Sequence, residues 1–207
     1  MKLRFLFLPT VCLSLLVFSS VPAFSQTVVT FDDISNIGTG TFITNGYRGL
    51  NWTNFAPVNA ILRTNGLGPS GYYYGMVSAS NVVFNAFGNA AGVDSPGTNF
   101  NFLSAYFTGA WNSNLNIEVQ GYRDTNLIYD ETLAVSATNA ILFTFNYLDI
   151  DHLVLNSFGG VSAGFGGLGE QFVMDNFEFE FIPEPSSFLL AALGAVSLVA
   201  FLRRKRV

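Results

Sequence analysis

The sequence predicts an all-β fold, an antiparallel β-sandwich of jelly-roll type, with an N-terminal signal helix and a C-terminal transmembrane helix at its two ends. Three observations carry this. Apolar residues alternate with polar ones through most of the middle of the chain, as in Leu115, Ile117 and Val119 between Asn114, Asn116, Glu118 and Gln120. Alternation with a period of two marks half-buried strands. No stretch of that middle keeps a helical period over about twelve residues. Uncharged apolar runs are confined to the two ends of the 207 residues.

The elements follow in chain order. Lys2 and Arg4 precede an apolar stretch over residues 6–18, and Ala23-Phe24-Ser25 offers small residues at the -3 and -1 positions before Gln26. That is the layout of a secretory signal peptide over residues 1–25, cut by signal peptidase. Cys12 is the single cysteine and lies in the removed segment, so the mature chain has no disulfide, thiolate nucleophile or cysteine metal site.

Residues 26–182 form the exported domain. Alternation places strands near 27–32, 41–44, 49–55, 60–63, 72–77, 81–85, 99–107, 114–121, 126–135, 140–147, 152–158 and 171–181. Clusters rich in Gly, Asn, Ser and Pro, such as residues 65–71, supply the turns. Many short strands at this spacing, without a longer repeat, predict one sandwich domain.

Residues 183–207 reverse the logic of the N-terminus. Pro183-Glu184-Pro185 is followed by the uncharged residues 186–202 and then by Arg203-Arg204-Lys205-Arg206. At a rise of about 1.5 Å per residue this apolar run spans roughly 26 Å, enough for a short bilayer crossing. The basic cluster stays cytoplasmic, so the precursor is anchored in the inner membrane with its middle exported. A Pro-Glu-Pro tripeptide, a spanning helix and a terminal Arg/Lys cluster together resemble the PEP-CTERM sorting signal of diderm bacteria. The resemblance implies an exosortase as processing partner, a cut near the tripeptide, transient passage through the inner membrane and delivery to the cell surface or extracellular matrix.

Composition narrows the function of the exported part. Half of the chain is hydrophobic and 15% is aromatic, which excludes a disordered polymer. Between residues 27 and 182 the basic residues are Arg48, Arg63 and Arg123 against thirteen carboxylates, a net of -10. Such a charge repels phosphate backbones, so nucleic acid is not a partner, and it favours cations.

Two catalytic patterns fail on context. Residues 160–164 match G-x-S-x-G and residues 164–169 match G-x-G-x-x-G. The first chemistry needs a strand, a sharp turn and a helix, with the acid and then the histidine following the serine in the chain. The second needs a following helix inside a βαβ unit. Here a glycine-rich loop leads into another strand, and the sole histidine, His152, precedes Ser162. His152 itself reads as a strand-end residue bonded to a neighbour rather than as a general base.

The carboxylates of Phe31-Asp32-Asp33 and of Val173-Met174-Asp175-Asn176-Phe177 end the first predicted strand and lie in the last. First and last strands of a jelly roll are commonly neighbours, so Asp32, Asp33 and Asp175 are candidate ligands of a structural calcium ion, which takes oxygen donors. Asp175 shares the parity of Phe177 and Phe179 and is expected on the core side; a turn-capping role is the alternative. The opening Phe-Asp-Asp, the Tyr47-Arg48-Gly49-Leu50-Asn51-Trp52 segment and the closing Met174-Asp175-Asn176-Phe177 are similar to bodies of PEP-CTERM cargo proteins. They also resemble jelly-roll carbohydrate-binding modules, and that resemblance implies a structural calcium on the Asp of the last strand and a glycan ligand. Trp111, Tyr72 and Tyr74 are the candidate glycan contacts, through stacking of sugar rings on aromatic faces, while Trp52 reads as core. The expected function is that of a non-catalytic surface or matrix protein contacting extracellular polysaccharide. A glycan hydrolase or lyase with a carboxylate pair drawn from Glu118, Asp130, Glu131, Asp149 and Asp151 is one alternative, and a purely structural matrix protein is the other.

Overall fold

The structure, a computed structural model, describes residues 25–35, 37, 40–64, 68–182, 193–198 and 201. The signal segment before Ser25, the tripeptide Pro183, Glu184 and Pro185, and the basic cluster Arg203, Arg204, Lys205 and Arg206 lie outside the described residues. Residues 193–198 are helical, and among the described residues no helix is long and apolar enough to cross a membrane.

The strands are β1 (Gln26–Val29), β2 (Asn51–Thr53), β3 (Phe55–Asn59), β4 (Asn81–Asn85), β5 (Ala91–Asp94), β6 (Phe100–Gly109), β7 (Asn112–Ser113), β8 (Leu115–Arg123), β9 (Asn126–Val135), β10 (Ile141–Ile150), β11 (His152–Phe158), β12 (Val161–Ser162) and β13 (Phe172–Phe181). One sheet runs β10-β6-β13-β4-β3, with β1 also paired to β13; the other runs β2-β5-β11-β8-β9, and β7 pairs with β12 in a short ribbon. The pairings are antiparallel. From β5 onward the chain passes repeatedly from one sheet to the other, at β5 to β6, β6 to β8, β9 to β10, β10 to β11 and β11 to β13. This is the jelly-roll sandwich that the alternation predicts.

Alternation decides what fills the space between the sheets. Leu115, Ile117 and Val119 of β8 and Leu153 and Leu155 of β11 point inward and are fully buried, facing Phe100, Phe102 and Phe107 of β6. Phe102 lies stacked between Phe145, 4.6 Å away, and Phe177, 4.8 Å away. Trp52 meets Phe31, Phe55 and Phe177 edge-on at 5.3–5.5 Å, so it is core as expected. Each of these side chains contributes about 1.5–3 kcal/mol by leaving water, and the ring geometries are the offset and edge-on ones that aromatic quadrupoles favour.

The outer face of the first sheet carries a second, smaller core. Val82 of β4, Val173 of β13, Ala110, Trp111 and Tyr72 pack there under the segment that links β3 to β4. That segment contains the one-turn helix α1 (Gly71–Tyr74), where the alternation predicts a strand over 72–77. Gly71 explains the difference. Its N–H bonds to the Ala110 carbonyl at 3.0 Å, and a Cβ at Gly71 would stand 1.8 Å from the Gly109 carbonyl oxygen. Backbone thus lies directly on backbone, and the turn that follows directs Tyr72 inward and Tyr73 outward.

A β-bulge divides β13. Its register with β6 shifts between Asp175 and Glu178, and Asn176 has φ 49. Phe172 and Met174 face the main core before the bulge, and Phe177 and Phe179 face it afterwards. The parity therefore switches within the strand. Asp175 falls on the outer side with Val173, a correction to the core-side direction expected from the parity of Phe177.

Candidate functional site

A groove of about 700 Å³ opens beside β3 and β4, walled by the loop that follows β1 and by the 3-10 turn Leu62–Thr64. Its construction begins with Phe31, whose ring is buried in the main core while its backbone takes φ 63. That turn directs Asp32 to the groove, where Oδ1 accepts the Asn81 N–H at 2.9 Å. The Asn81 amide in turn donates to the carbonyls of Phe31 and Ile34, at 3.0 and 3.1 Å, and sews the loop to β4. On the opposite wall Asn59 Oδ1 accepts the Leu62 N–H at 2.9 Å and so starts the 3-10 turn.

The turn presents Arg63, whose guanidinium stands 5.0 Å over the ring of Tyr72. Cation–π contact fixes its plane. Burial pushes the Tyr72 hydroxyl up to about 12, so the ring stays neutral beneath the cation. Arg48 pairs with Asp33 at 2.7 Å and Arg123 pairs with Asp149. Arg63 has no carboxylate partner among the described residues, and it lines the groove. Ser35, Ser80 and Asn81 add hydroxyl and amide groups, and Val58, Leu62 and Phe84 add an apolar wall. The groove thus offers a carboxylate, amides, hydroxyls and a guanidinium above apolar surface.

A second cavity of about 360 Å³ lies on the other side of the Ile34-Ser35 segment and is lined by Asp33, Phe42 and Tyr47. The Tyr47 hydroxyl donates to Asp33 at 2.6 Å. Burial, followed by that bond, pushes its pKa up to about 12.

The three acids predicted as calcium ligands are not brought into one group. Asp32 lines the groove, Asp33 is held by Tyr47 and Arg48, and Asp175 is 0% exposed beneath the segment after α1. Asp175 accepts hydrogen bonds from the N–H groups of Val77 (2.7 Å), Ser78 (2.8 Å) and Asn176 (2.7 Å), and from the Ser78 hydroxyl (3.0 Å). Among the described residues no group of three or more His, Cys, Asp or Glu side chains stands ready for a metal. N–H groups converging on a carboxylate present positive dipole ends, the opposite of the oxygen shell that calcium requires. The donor set around Asp175 does not fit that ion, and Asp175 instead ties down the β3–β4 segment.

The predicted glycan contacts divide. Trp111 is 6% exposed and Tyr72 is 2% exposed, edge-on to each other at 5.4 Å, so neither offers a ring face to solvent. That corrects both assignments. Trp111 lies under the glycine-rich loop, since a Cβ at Gly167 would come within 2.5 Å of its ring. Tyr74 is half-buried and stacks on Phe165 at 6.0 Å, with Tyr73 beside it and exposed.

The catalytic patterns find no support in the geometry. His152 Nδ1 is hydrogen-bonded to Asp94, the strand-end role expected of it. Ser162 follows the far end of β11, roughly 20 Å from His152 at about 3.3 Å per residue. The loop with the dinucleotide-like glycines enters β13 rather than a helix. Of the predicted hydrolase acids, Asp149 pairs with Arg123 and Asp151 accepts the Asp124 N–H. The groove and the second cavity each hold a single carboxylate, Asp32 and Asp33.

Residues 181–206 match the PEP-CTERM protein-sorting motif. No curated protein matches the chain. Among solved structures the chain is similar to the family 32 carbohydrate-binding module of C. perfringens NanJ in complex with galactose. There the identity is 12% and the TM-score 0.34, over 73% of this chain and 100% of that one. It is also similar to the carbohydrate-binding module TmCBM61 in complex with beta-1,4-galactotriose, with 9% identity and a TM-score of 0.32, over 68% of this chain and 94% of that one. The chain carries a PEP-CTERM sorting motif behind an antiparallel β-sandwich, and the motif marks an exported protein processed at the membrane.

Proposed function

We propose that this is an exosortase-sorted protein of the cell surface or extracellular matrix whose sandwich binds extracellular polysaccharide without catalysis. Signal peptidase and exosortase act on its two ends, and the inner membrane holds the precursor only in passage. The observation that carries the binding function is the lining of the 700 Å³ groove. Asp32, Asn59 and Arg63 supply acceptors and donors for the paired hydroxyls of a pyranose, and Val58 and Leu62 supply apolar surface for its C–H face. The single carboxylate in the groove favours binding over hydrolysis, because glycosidases work with two, about 5–9.5 Å apart.

A glycan-array screen of residues 26–182 tests this. Among the described residues the buried members of both hydrophobic cores lie between Val29 and Phe179, so this piece contains both cores. The expected result is binding that Arg63→Ala weakens about tenfold or more, as loss of a charge-assisted contact does. Binding that is insensitive to Arg63→Ala would remove the groove from the reading. Silence across a broad array would leave a structural matrix protein in its place. Release of reducing ends from a bound glycan would replace binding with hydrolysis.

A further inference from the structure

The first strand begins at the residue that the predicted signal-peptidase cut exposes. Gln26 follows Ala23-Phe24-Ser25 in the sequence, and it is also the first residue of β1, opposite Glu180 of β13. Ser25 and Gln26 are both exposed, so the Gln26 side chain lies open to water and belongs to neither hydrophobic core. A cut before Gln26 leaves a free α-amine on a glutamine. No lysine occurs between residues 26 and 182, so that α-amine is the sole primary amine of the exported domain.

We propose that Gln26 is a modification site, which closes to an N-terminal pyroglutamate once the leader is removed; this rests on the export reading above. The α-amine nitrogen attacks the side-chain Cδ and the Cδ–Nε2 bond breaks. The leaving nitrogen takes the proton that the α-amine gives up and departs as ammonia. One amide replaces another, so no oxidant or cofactor is required. The product is a neutral lactam, which leaves the released domain without a primary amine and offers aminopeptidases no charged terminus. The fold sets the pace of closure. Gln26 Nε2 donates to Glu178, which also accepts the Ser104 hydroxyl. Glu178 stands opposite Val28, two residues along β1, so this bond draws the carboxamide forward along the strand and away from the α-amine. Closure has to break that bond first, and Glu178 therefore slows it.

Export of the full chain, with its own leader, from a diderm host tests the site. Reductive dimethylation of the recovered protein before digestion marks any free α-amine and stops closure during work-up. Trypsin then releases the terminal peptide that ends at Arg48, and mass spectrometry reads where it starts. The expected peptide begins at Gln26, lacks one ammonia and carries no label, and its fraction rises over days of incubation. In Glu178→Ala the rise should be about fivefold faster, the worth of one exposed hydrogen bond. A dimethylated Gln26 that persists through the incubation overturns the proposal and leaves the export reading standing. A peptide that starts at another residue overturns it by moving the cut, and a retained leader overturns both readings. Equal rates in the parent and in Glu178→Ala overturn the restraint by the fold.

Discussion

Asp175→Ala separates a structural anchor from a metal ligand. The carboxylate is fully buried and accepts four hydrogen bonds, three from backbone N–H groups of Val77, Ser78 and Asn176 and one from the Ser78 hydroxyl. The hydroxyl can turn elsewhere, toward the Thr30 carbonyl already 3.5 Å away. The three backbone donors cannot, and each costs about 1–3 kcal/mol when left buried and unpaired. Water entering the vacated space recovers part of this, which leaves an expected loss of about 3–5 kcal/mol, in the range for breaking a buried charged network. For a domain of this size each kcal/mol moves Tm by about 2–4 °C, so the melting point falls by roughly 6–20 °C. Asp175→Asn keeps one acceptor oxygen and loses about 1–3 kcal/mol.

Thermal and urea unfolding of residues 26–182 read both variants, and pH adds a sign. Burial pushes the Asp175 carboxyl above the usual carboxylate range, and the donors from Ser78, Val77 and Asn176 pull it partly back. The native state therefore holds its proton to higher pH than the unfolded chain does. The stability from this shift is fully present below the unfolded value of about 3.9 and is lost as pH rises through the folded value. The gap between the parent protein and Asp175→Asn should accordingly narrow as pH is raised from about 4. An Asp175→Ala loss under about 1 kcal/mol would refute the anchor, because it would mean that water already satisfies those donors.

Three further outcomes are expected. Gly71→Ala places a Cβ 1.8 Å from the Gly109 carbonyl oxygen and 2.7 Å from the Ala110 Cα. It should cost about 3 kcal/mol or more and change the near-ultraviolet dichroism of the Tyr72–Trp111 pair; a silent variant would contradict the docking of α1. Phe87 is 81% exposed at φ 59, so Phe87→Asn should relieve about 1 kcal/mol of backbone strain, and a lower melting point would reveal an unrecognised contact of the ring. Calcium and EDTA should leave Tm unchanged, since a site filled at a hundredfold excess over Kd would add about 2.7 kcal/mol.

Some strands are legible to the residue: β4, β9 and β11 lie over 81–85, 126–135 and 152–158, as the sequence predicts. Legibility fails where tertiary contact overrides local preference. Three tyrosines in a row suit a strand, yet Gly71 against Gly109 makes their segment a helical turn. β5 escapes detection because Ala91-Gly92-Val93-Asp94 is short and contains a glycine at its second position. The direction of Asp175 is misread because a bulge moves every later side chain to the opposite parity, and nothing in Met174-Asp175-Asn176-Phe177 announces it beyond an Asn that tolerates positive φ. Of the groove, Asp32 is visible in the sequence as part of an acidic turn. Asn59 and Arg63 are not, because their importance comes from the 3-10 turn that places them and from the carboxylates that the other two arginines already occupy. Trp111 reads as a candidate glycan contact because the glycine-rich loop that covers it, with Gly167 on its ring and Phe165 beside it, is distant in sequence.

The ends of the domain relate this fold to its export. Gln26 pairs with Glu180, and the Ile182 N–H bonds to the Asn99 carbonyl at 2.9 Å, so the chain enters and leaves the sandwich at one pole. β13 carries ten residues, so Phe172 and the glycine-rich loop before it lie roughly 30 Å away, at the other pole. On the proposed route both poles have distinct roles. The first is tethered to the membrane by the leader at one end and by the sorting segment at the other. The second, with the exposed Phe87, Val161 and Leu168, faces outward. The tripeptide begins directly after Ile182, beyond the last strand pair, so a cut there removes no core residue and breaks no strand pairing of the sandwich. The domain can therefore fold while still anchored and be released with its groove already formed. Proteolysis of the anchored precursor and of the released form should then give the same resistant fragment.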